Sequence, residues 1–123
     1  MSLQDTNMEE YSHIGKHCMI SIRDISNVER LKYVQTVEEI LDGIAKECGL
    51  NVVAKAGHQF SPWGVTYVHV LAESHMSIHT YPENGTAYMD IFCCSPTFSP
   101  EKACSVIQNV FQPCTVEFKT FIR

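Results

Sequence analysis

The middle of the chain places three strand-like segments in close succession, and this feature restricts the possible folds more than any other. Residues 65–73 are rich in β-branched and apolar side chains, and residues 77–81 and 86–92 repeat the pattern in shorter form. Residues 82–85, between the last two, contain Asn-Gly, a strong hairpin signal. Connections this short join antiparallel strands, because parallel strands need a long crossover. The sequence therefore predicts an antiparallel sheet at the centre of the fold.

Two amphipathic helices and three further strands surround this centre. One helix is predicted to open at the capping pair Thr36 and Glu39, and the other at Ser99, which is followed by proline. Each carries an apolar stripe at helical spacing, made of Val37, Ile40, Leu41, Ile44, Ala45 and Cys48 in the first helix and Ala103, Val106, Ile107, Val110 and Phe111 in the second. Strand patterns cover residues 17–25, 50–59 and 115–122.

The element order β-α-β-β-β-β-α-β predicts an α+β fold, a two-layer sandwich in which two helices cover one face of a mainly antiparallel sheet. The other face then lacks a cover, and we expect a second copy of the chain to supply it by dimerisation through the sheet. At 123 residues the chain is expected to form one domain, residues 1–123, with a loosely packed start. It is small for an enzyme that builds a deep pocket alone, which favours a homo-oligomer with shared sites.

Charge and cysteine content narrow the classes of function. The formal net charge is −5 and the basic residues are scattered, so we expect neither nucleic acid nor acidic lipid as a partner. No segment has the length of a membrane-spanning helix, and the first twelve residues show no secretory pattern. We therefore expect a cytoplasmic protein with reduced thiols. The dispersed cysteines are predicted to fill the core: Cys18, Cys48, Cys104 and Cys114.

Chemically active residues concentrate in residues 72–85, AESHMSIHTYPENG, where two acids, two serines and two histidines follow an apolar strand. One interpretation is an ordinary strand end with satisfied polar groups. A Ser-His hydrolase would need an orienting group and an oxyanion hole, and no G-x-S-x-G elbow surrounds Ser74. A zinc site would combine His75, His79, Cys93 and Cys94. Adjacent strand cysteines face opposite ways and no C-x-x-C spacing occurs, so we expect no metal site.

The stretch ESHMSIHTYPENG, followed by AYMDIFCCSP, resembles the bacterial and archaeal S-adenosylmethionine decarboxylases. The family pattern runs E-S-H-x-[ST]-I-H-T-[WY]-P-E, then a turn, then a strand that ends D-[VI]-F-T-C-G. GKH at residues 15–17 and HQFSP at residues 58–62 resemble two further family segments. Cys93 stands where the family usually has Thr, and Ser95 where it usually has Gly. The resemblance extends over most of the chain.

This resemblance implies a proenzyme that cuts itself between Glu73 and Ser74, giving chains of residues 1–73 and 74–123. Ser74 would attack the Glu73 carbonyl, and β-elimination of the resulting ester would leave a pyruvoyl group. His79 is implied to handle the proton in this maturation, a role that suits an imidazole. The pyruvoyl group is the implied cofactor in place of pyridoxal phosphate, because it forms a Schiff base with a substrate amine and accepts electrons on decarboxylation.

The resemblance also implies the remaining site residues. Cys94, twenty residues after Ser74, takes the position of the family's proton donor, and Cys93 is then expected to be a packing residue. A phenylalanine that stacks on adenine, an acid beside the ribose and a hydroxyl residue near the pyruvoyl site are matched by Phe60, Glu83 and Thr66.

The function that the resemblance implies is decarboxylation of S-adenosylmethionine, whose product is the aminopropyl donor for spermidine. The enzyme would be a homodimer of cleaved protomers with its active sites at their interface. Two alternatives stay open. The same pyruvoyl chemistry could act on arginine or ornithine, since Thr66, Cys93 and Ser95 depart from the family pattern near the site. Alternatively, the chain is an unprocessed homologue that only binds a ligand or partner.

Overall fold

The computed structural model describes residues 14–123, in which six strands and two helices follow the predicted order. They are β1 Lys16–Arg23, α1 Val34–Glu47, β2 Val52–Gln59, β3 Val65–Leu71, β4 Ser74–Tyr81, β5 Thr86–Cys93, α2 Pro100–Phe111 and β6 Thr115–Ile122. Short 3-10 helices, Val28–Leu31 and Pro82–Asn84, precede α1 and β5. The loose start predicted over residues 1–14 and the absence of a secretory pattern in the first twelve residues lie, apart from residue 14, outside the described residues.

All six strands form one sheet in the order β2-β3-β4-β5-β1-β6, and each neighbouring pair is antiparallel. The hairpins expected at the centre are present, because β3 pairs with β4 and β4 pairs with β5. The α+β class and the antiparallel sheet predicted from the sequence are confirmed.

The two helices pack on one face of the sheet, as predicted. Alternate strand residues are buried beneath them: Cys18, Ile20 and Ile22 in β1, Met76, Ile78 and Thr80 in β4, and Ala87, Met89, Ile91 and Cys93 in β5. The helices contribute Leu41 and Ile44 from α1 and Ile107 and Phe111 from α2. Burying an apolar side chain of this size stabilises the fold by about 1.5–3 kcal/mol, which explains why both stripes turn inward. Of the dispersed cysteines, Cys18 and Cys104 are buried, and Cys48 and Cys114 are partly buried.

The opposite side of the sheet, which we call the open face, carries the other half of each strand alternation. It includes His17 and Met19 of β1, Val70 of β3, His75 and Ser77 of β4, Tyr88 and Asp90 of β5, and Phe121 of β6. Its exposed apolar residues include Met19, Tyr88 and Phe121, which line a shallow depression of about 520 Å³. The expected dimerisation through this face stays a prediction.

Two local predictions differ from the structure. The strand predicted over residues 65–73 is too long, because β3 ends at Leu71. The strand predicted over residues 77–81 is too short, because β4 begins at Ser74. Polar residues on the open face hid the start of β4. The predicted cap at Thr36 is also wrong, since α1 begins at Val34 without a side-chain cap. By contrast, Ser99 caps α2 by accepting a hydrogen bond from the Lys102 N–H at 3.1 Å.

In the part of the chain that the structure describes, neither helix has the length and apolar character that a membrane span requires.

Candidate active site

The hairpin of β3 and β4 organises the candidate site, with different groups at its two ends. Its turn end is closed by Leu71 and Ser74, which pair across the ladder, so the loop consists of Ala72 and Glu73. The Glu73–Ser74 peptide bond therefore lies at the start of β4. Ser74 has φ 148°. For a residue other than glycine this is a strained backbone conformation, of a kind that clusters at functional sites.

The Glu73–Ser74 peptide is held by hydrogen bonds from two other segments. The backbone N–H of Cys94 donates to the Glu73 carbonyl oxygen at 3.0 Å. In the loop before β2, the Asn51 backbone N–H and side-chain amide donate to the two oxygens of the Glu73 carboxylate, at 3.1 and 2.7 Å. The bond from the Asn51 backbone, supported by the one from its side chain, lowers the pKa of Glu73. The residue before the predicted cleavage point is thus fixed by both its carbonyl and its side chain.

Cys93 and Cys94 face opposite ways at the end of β5, as strand parity predicted. Cys93 is fully buried on the helix side, where burial raises the pKa of its thiol. Cys94 is exposed and lines a depression of about 330 Å³ beside β1. Ser74 pairs with Cys93 in the ladder, and Cys94 follows directly. Of the two thiols, that of Cys94 is exposed and that of Cys93 is buried, although Cys93 also lines this depression and is the direct ladder partner of Ser74.

A pocket of about 300 Å³ lies at the opposite end of the same hairpin. It brings together four residues that were singled out in the sequence: Phe60, Thr66, His79 and Glu83. Thr66 and His79 face each other across β3 and β4, and the Thr66 hydroxyl lies 3.1 Å from Nδ1 of the His79 ring. Trp63 and Tyr81 also line the pocket, although sequence reasoning did not single them out. Aromatic rings with a few polar groups suit a ligand that combines a flat ring with hydroxyls.

A single protomer does not bring the two ends of the hairpin together. Ser74 and His79 lie five residues apart on one strand, which at about 3.3 Å per residue separates them by roughly 16 Å. A direct proton transfer between their side chains needs contact within hydrogen-bonding distance. Direct proton transfer between Ser74 and His79 within one protomer is therefore excluded.

A hydrogen-bonded cluster on the open face was missed in the sequence. Oδ2 of Asp90 accepts from Nε2 of His17 at 2.7 Å and from Nε2 of His75 at 2.8 Å, and the Ser77 hydroxyl donates to Oδ1. Burial alone would raise the pKa of Asp90, but the three hydrogen bonds together lower it. The polar alternation of β4 indicates polar residues on one face of the strand. It predicts this cluster only when the pairing of β4 with β5 and of β5 with β1 is known.

Two imidazoles and a carboxylate are also possible metal ligands, and the three ligand atoms lie within 4.8 Å of one another. The contact between Arg123 and His17 favours a proton, and not a metal ion, between His17 and Asp90. Its Nη1 lies 3.2 Å from Nδ1 of His17, and a guanidinium only donates, so Nδ1 of the neutral ring accepts. The ring proton then sits on Nε2 and faces Asp90, where a metal ion would need a lone pair.

The zinc set weighed from the sequence is not assembled by the fold. His75 and His79 lie towards opposite ends of β4, and Cys93 is buried on the helix side while Cys94 is exposed. These four residues share no common point at which an ion could bind all of them.

Known proteins share both the sequence and the fold. The sequence profile of S-adenosylmethionine decarboxylases matches residues 16–123. The chain is 43% identical to the S-adenosylmethionine decarboxylase proenzyme of Symbiobacterium thermophilum over 113 residues, 92% of this chain and 85% of that protein. It is also 43% identical to the proenzyme of the same description from Methanococcus aeolicus over 101 residues, 82% of this chain and 86% of that protein.

The crystal structure of the adenosylmethionine decarboxylase from Aquifex aeolicus superposes with a TM-score of 0.82 at 29% identity, covering 90% of this chain and 91% of that one. A profile match over nearly all of the described residues, close relatives and a shared fold agree with one another. The chain therefore belongs to the S-adenosylmethionine decarboxylase family, whose members are carboxy-lyases.

Proposed function

We propose that the chain is a proenzyme that cuts itself between Glu73 and Ser74 and then decarboxylates S-adenosylmethionine, with a pyruvoyl group made from Ser74 as its cofactor. The observation that carries the proposal is the geometry of one peptide bond. A strained Ser74, at φ 148°, follows a carbonyl that already accepts a hydrogen bond from the Cys94 N–H. The reaction would supply the aminopropyl donor for spermidine synthesis, and we propose that it takes place in the cytoplasm.

Self-cleavage begins when the Ser74 hydroxyl attacks the Glu73 carbonyl carbon. The C–N bond breaks as the new C–O bond forms, so the amide becomes an ester and Ser74 gains a free amino group. Negative charge develops on the Glu73 carbonyl oxygen, where the Cys94 N–H donates at 3.0 Å as in an oxyanion hole. Loss of the Ser74 Cα proton then expels the Glu73 carboxylate. Hydrolysis of the remaining dehydroalanine releases ammonia and leaves the pyruvoyl group on chain 74–123.

The surroundings of Ser74 fit such a group. Ser74 is the first residue of β4 and is fixed by its pairing with Cys93, so cleavage would leave the cofactor at the end of an ordered strand. When present, a pyruvoyl group supplies the electron sink for decarboxylation of an amino acid. Cys94 is exposed beside it and is proposed to give a proton to the substrate carbon. Cys93 is fully buried and is proposed only to pack.

The pocket at the other end of the hairpin is proposed to bind the adenosyl part of the substrate. Phe60 is 48% exposed, so its ring is available to stack on a purine and does not belong to the core. The Glu83 carboxylate is proposed to accept hydrogen bonds from ribose hydroxyls. Thr66 is bonded to His79 and would orient the imidazole that handles the proton during self-cleavage.

A homodimer through the open face would join the two ends. In a two-fold dimer the same surface of both copies meets, so the turn end of one hairpin can lie against the pocket end of its partner. Exposed Met19, Tyr88 and Phe121 give this face an apolar centre suited to a protein interface. Each complete site would then combine Ser74 and Cys94 of one protomer with the pocket of the other.

The experiment is an intact-mass measurement of the purified protein followed by a substrate panel. We expect two chains, residues 1–73 and a pyruvoyl-started 74–123, and release of carbon dioxide from S-adenosylmethionine. Ser74→Ala should give one uncut, inactive chain. A wild-type protein that stays whole after long incubation contradicts self-cleavage and supports the unprocessed homologue. Faster turnover of arginine or ornithine would transfer the assignment to those substrates, in keeping with the departures at Thr66, Cys93 and Ser95.

A further inference from the structure

We propose that Asn51 is a positioning residue for self-cleavage, which holds Glu73 so that its carbonyl stays aligned for attack. The inference rests on the proposed self-cleavage and adds a residue that takes no part in the chemistry. Asn51 lies in the loop between α1 and β2, far along the chain from the cleavage point. Its contacts with the turn that carries the Glu73–Ser74 bond set it apart from other loop residues.

Three hydrogen bonds join Asn51 to this two-residue turn. Its backbone N–H and side-chain Nδ2 donate to the two oxygens of the Glu73 carboxylate, at 3.1 and 2.7 Å. Its carbonyl oxygen accepts from the backbone N–H of Ala72 at 2.8 Å. Both residues of the turn are therefore tied to the same neighbour. We call these three hydrogen bonds the Asn51 clamp. Hydrogen bonds to an ionised group are stronger than neutral ones, so the two bonds to the Glu73 carboxylate are the stronger part of the clamp.

The clamp acts on the residue whose carbonyl is attacked. With the Glu73 side chain held by Asn51 and the Glu73 carbonyl held by the Cys94 N–H at 3.0 Å, Glu73 is fixed from two sides. The strain at Ser74 can persist only if neighbouring residues are held, because a free turn would relax to a common conformation. Asn51 thus keeps the strained peptide bond aligned with its N–H donor while the serine attacks.

Charge makes the clamp testable, since the Asn51 contacts require an ionised Glu73. On β5, the titratable neighbour is the buried Cys93, whose thiol pKa is raised by burial, so it is uncharged in this pH range. On the α1 and β2 side, Asp42, Lys46 and Lys55 line the same shallow surface as Asn51. All of these groups stay unchanged when Asn51 is substituted. A new carboxylate at position 51 would face that of Glu73 directly, and two close carboxylates share a proton only as the pH falls.

The test follows self-cleavage of freshly translated full-length chain by intact mass, with each variant rate divided by the wild-type rate at the same pH. Asn51→Ala removes only the side-chain bond to the Glu73 carboxylate and keeps the two backbone bonds, so it should slow cleavage about tenfold, the scale of one lost hydrogen bond. Asn51→Asp should be slower still at pH 7.5, and its ratio to wild type should rise towards pH 5. Adding Glu73→Gln to Asn51→Asp should restore the rate at pH 7.5, because the new amide can donate to the new carboxylate.

Asn109→Asp is the matched control, because Asn109 is exposed on α2 and the substitution makes the same chemical change. Its cleavage rate should equal that of wild type. Urea midpoints in the Ser74→Ala background report folding separately. If wild type never cleaves, the proposed self-cleavage is wrong and the role of Asn51 falls with it. If wild type cleaves and Asn51→Ala matches it, only the role of Asn51 is wrong. An Asn51→Asp defect that is independent of pH and not rescued by Glu73→Gln also overturns the proposal.

Discussion

The two ends of the β3–β4 hairpin differ in whether backbone groups or side chains make their main contacts. At the turn end, the Glu73–Ser74 bond is held by backbone groups, above all the Cys94 N–H, and the serine is strained at φ 148°. At the pocket end, side chains do the work: Phe60 and Glu83 line an open cavity, and Thr66 bonds to His79. In the proposed function, the turn end undergoes self-cleavage and the pocket end binds the substrate.

This difference has a consequence for how substitutions act. A backbone N–H donor survives every side-chain substitution except proline, so the turn end should lose its function only through Ser74 itself or through loss of its alignment. The pocket end is made of side chains that can be removed one at a time. Variants at the two ends should therefore separate maturation from substrate binding, provided that each site draws one end from each protomer.

The largest effect is expected from mixing two inactive variants. Ser74→Ala removes the hydroxyl proposed to attack at the turn end, and His79→Ala removes the residue proposed to handle the proton at the pocket end. Each variant expressed alone should therefore stay almost entirely uncut. In a hybrid dimer, an intact Ser74 from one chain meets an intact His79 from the other. At equal co-expression about half of the His79→Ala chains should sit in such dimers and be cut. Intact mass distinguishes the two chains.

If hybrid dimers are isolated by affinity tagging and the mixture still shows no cleavage, the two ends of the hairpin do not form a shared site between protomers. Self-cleavage would then use groups of a single protomer, and the roughly 16 Å between Ser74 and His79 would exclude His79 from a direct role.

A second prediction concerns the pair of cysteines at the end of β5, Cys93 and Cys94. Cys94→Ala should still be cut, because its backbone N–H remains, but decarboxylation should fall by about 10²-fold or more, the scale of a lost general acid. Without the thiol, misplaced protonation should leave alanine at the start of chain 74–123, visible by mass after exposure to substrate. Cys93→Ala, in a buried position on the opposite face, is the matched control and should stay near wild type. The opposite result would shift the assignment by one residue.

The fold was predictable in its outline because its signals are local. Helical stripes and strand alternation gave the order of elements, and short turns gave antiparallel pairing. The start of β4 was missed because its first residues, Ser74, His75 and Ser77, are polar, and His75 and Ser77 lie on the open face, which has no helix over it. The cap at Thr36 was misplaced because packing of the stripe, rather than the capping pair, sets where α1 begins.

The candidate site was predictable only as a set of residues. The motif resemblance named Ser74, His79 and Cys94, but it did not show that Ser74 and His79 lie at opposite ends of the β3–β4 hairpin, because that depends on the strand pairing. The Asp90 cluster depends on the side-by-side placement of β1, β5 and β4, and the Asn51 contacts depend on where the loop before β2 reaches. Such long-range pairings follow from tertiary structure and leave no local pattern.

A third prediction is confined to the pocket end. Phe60→Ala should weaken binding of S-adenosylmethionine by about 1–3 kcal/mol, the scale of stacking between a base and an aromatic ring. Self-cleavage should proceed at the wild-type rate, because the ring does not touch the Glu73–Ser74 bond. Measuring KM and the cleavage rate on the same preparations separates an effect on substrate binding from an effect on self-cleavage. Equal losses of both would mark Phe60 as a structural residue and remove the division between the two ends.

The smallest effect is expected from the group that lies between the two ends. Asp90 ties the middle of β4 to β5 and β1 through His75 and His17. Asp90→Asn in the uncut Ser74→Ala background should lower the free energy of unfolding by about 1–3 kcal/mol at pH 7, because hydrogen bonds to a charged acceptor are lost. The folded-state pKa of Asp90 lies below its ordinary value, so its contribution is present above the unfolded pKa of about 3.9 and is lost as pH falls through the folded pKa. Urea titrations should therefore show the difference in unfolding free energy between the two proteins closing below about pH 4.

The control is Glu39→Gln, which removes an exposed charge on α1 and should show no such difference at either pH. A gap that persists unchanged at pH 3 would mean that Asp90 stabilises the sheet by its shape and not by its charge, and the two ends would then be joined by packing alone.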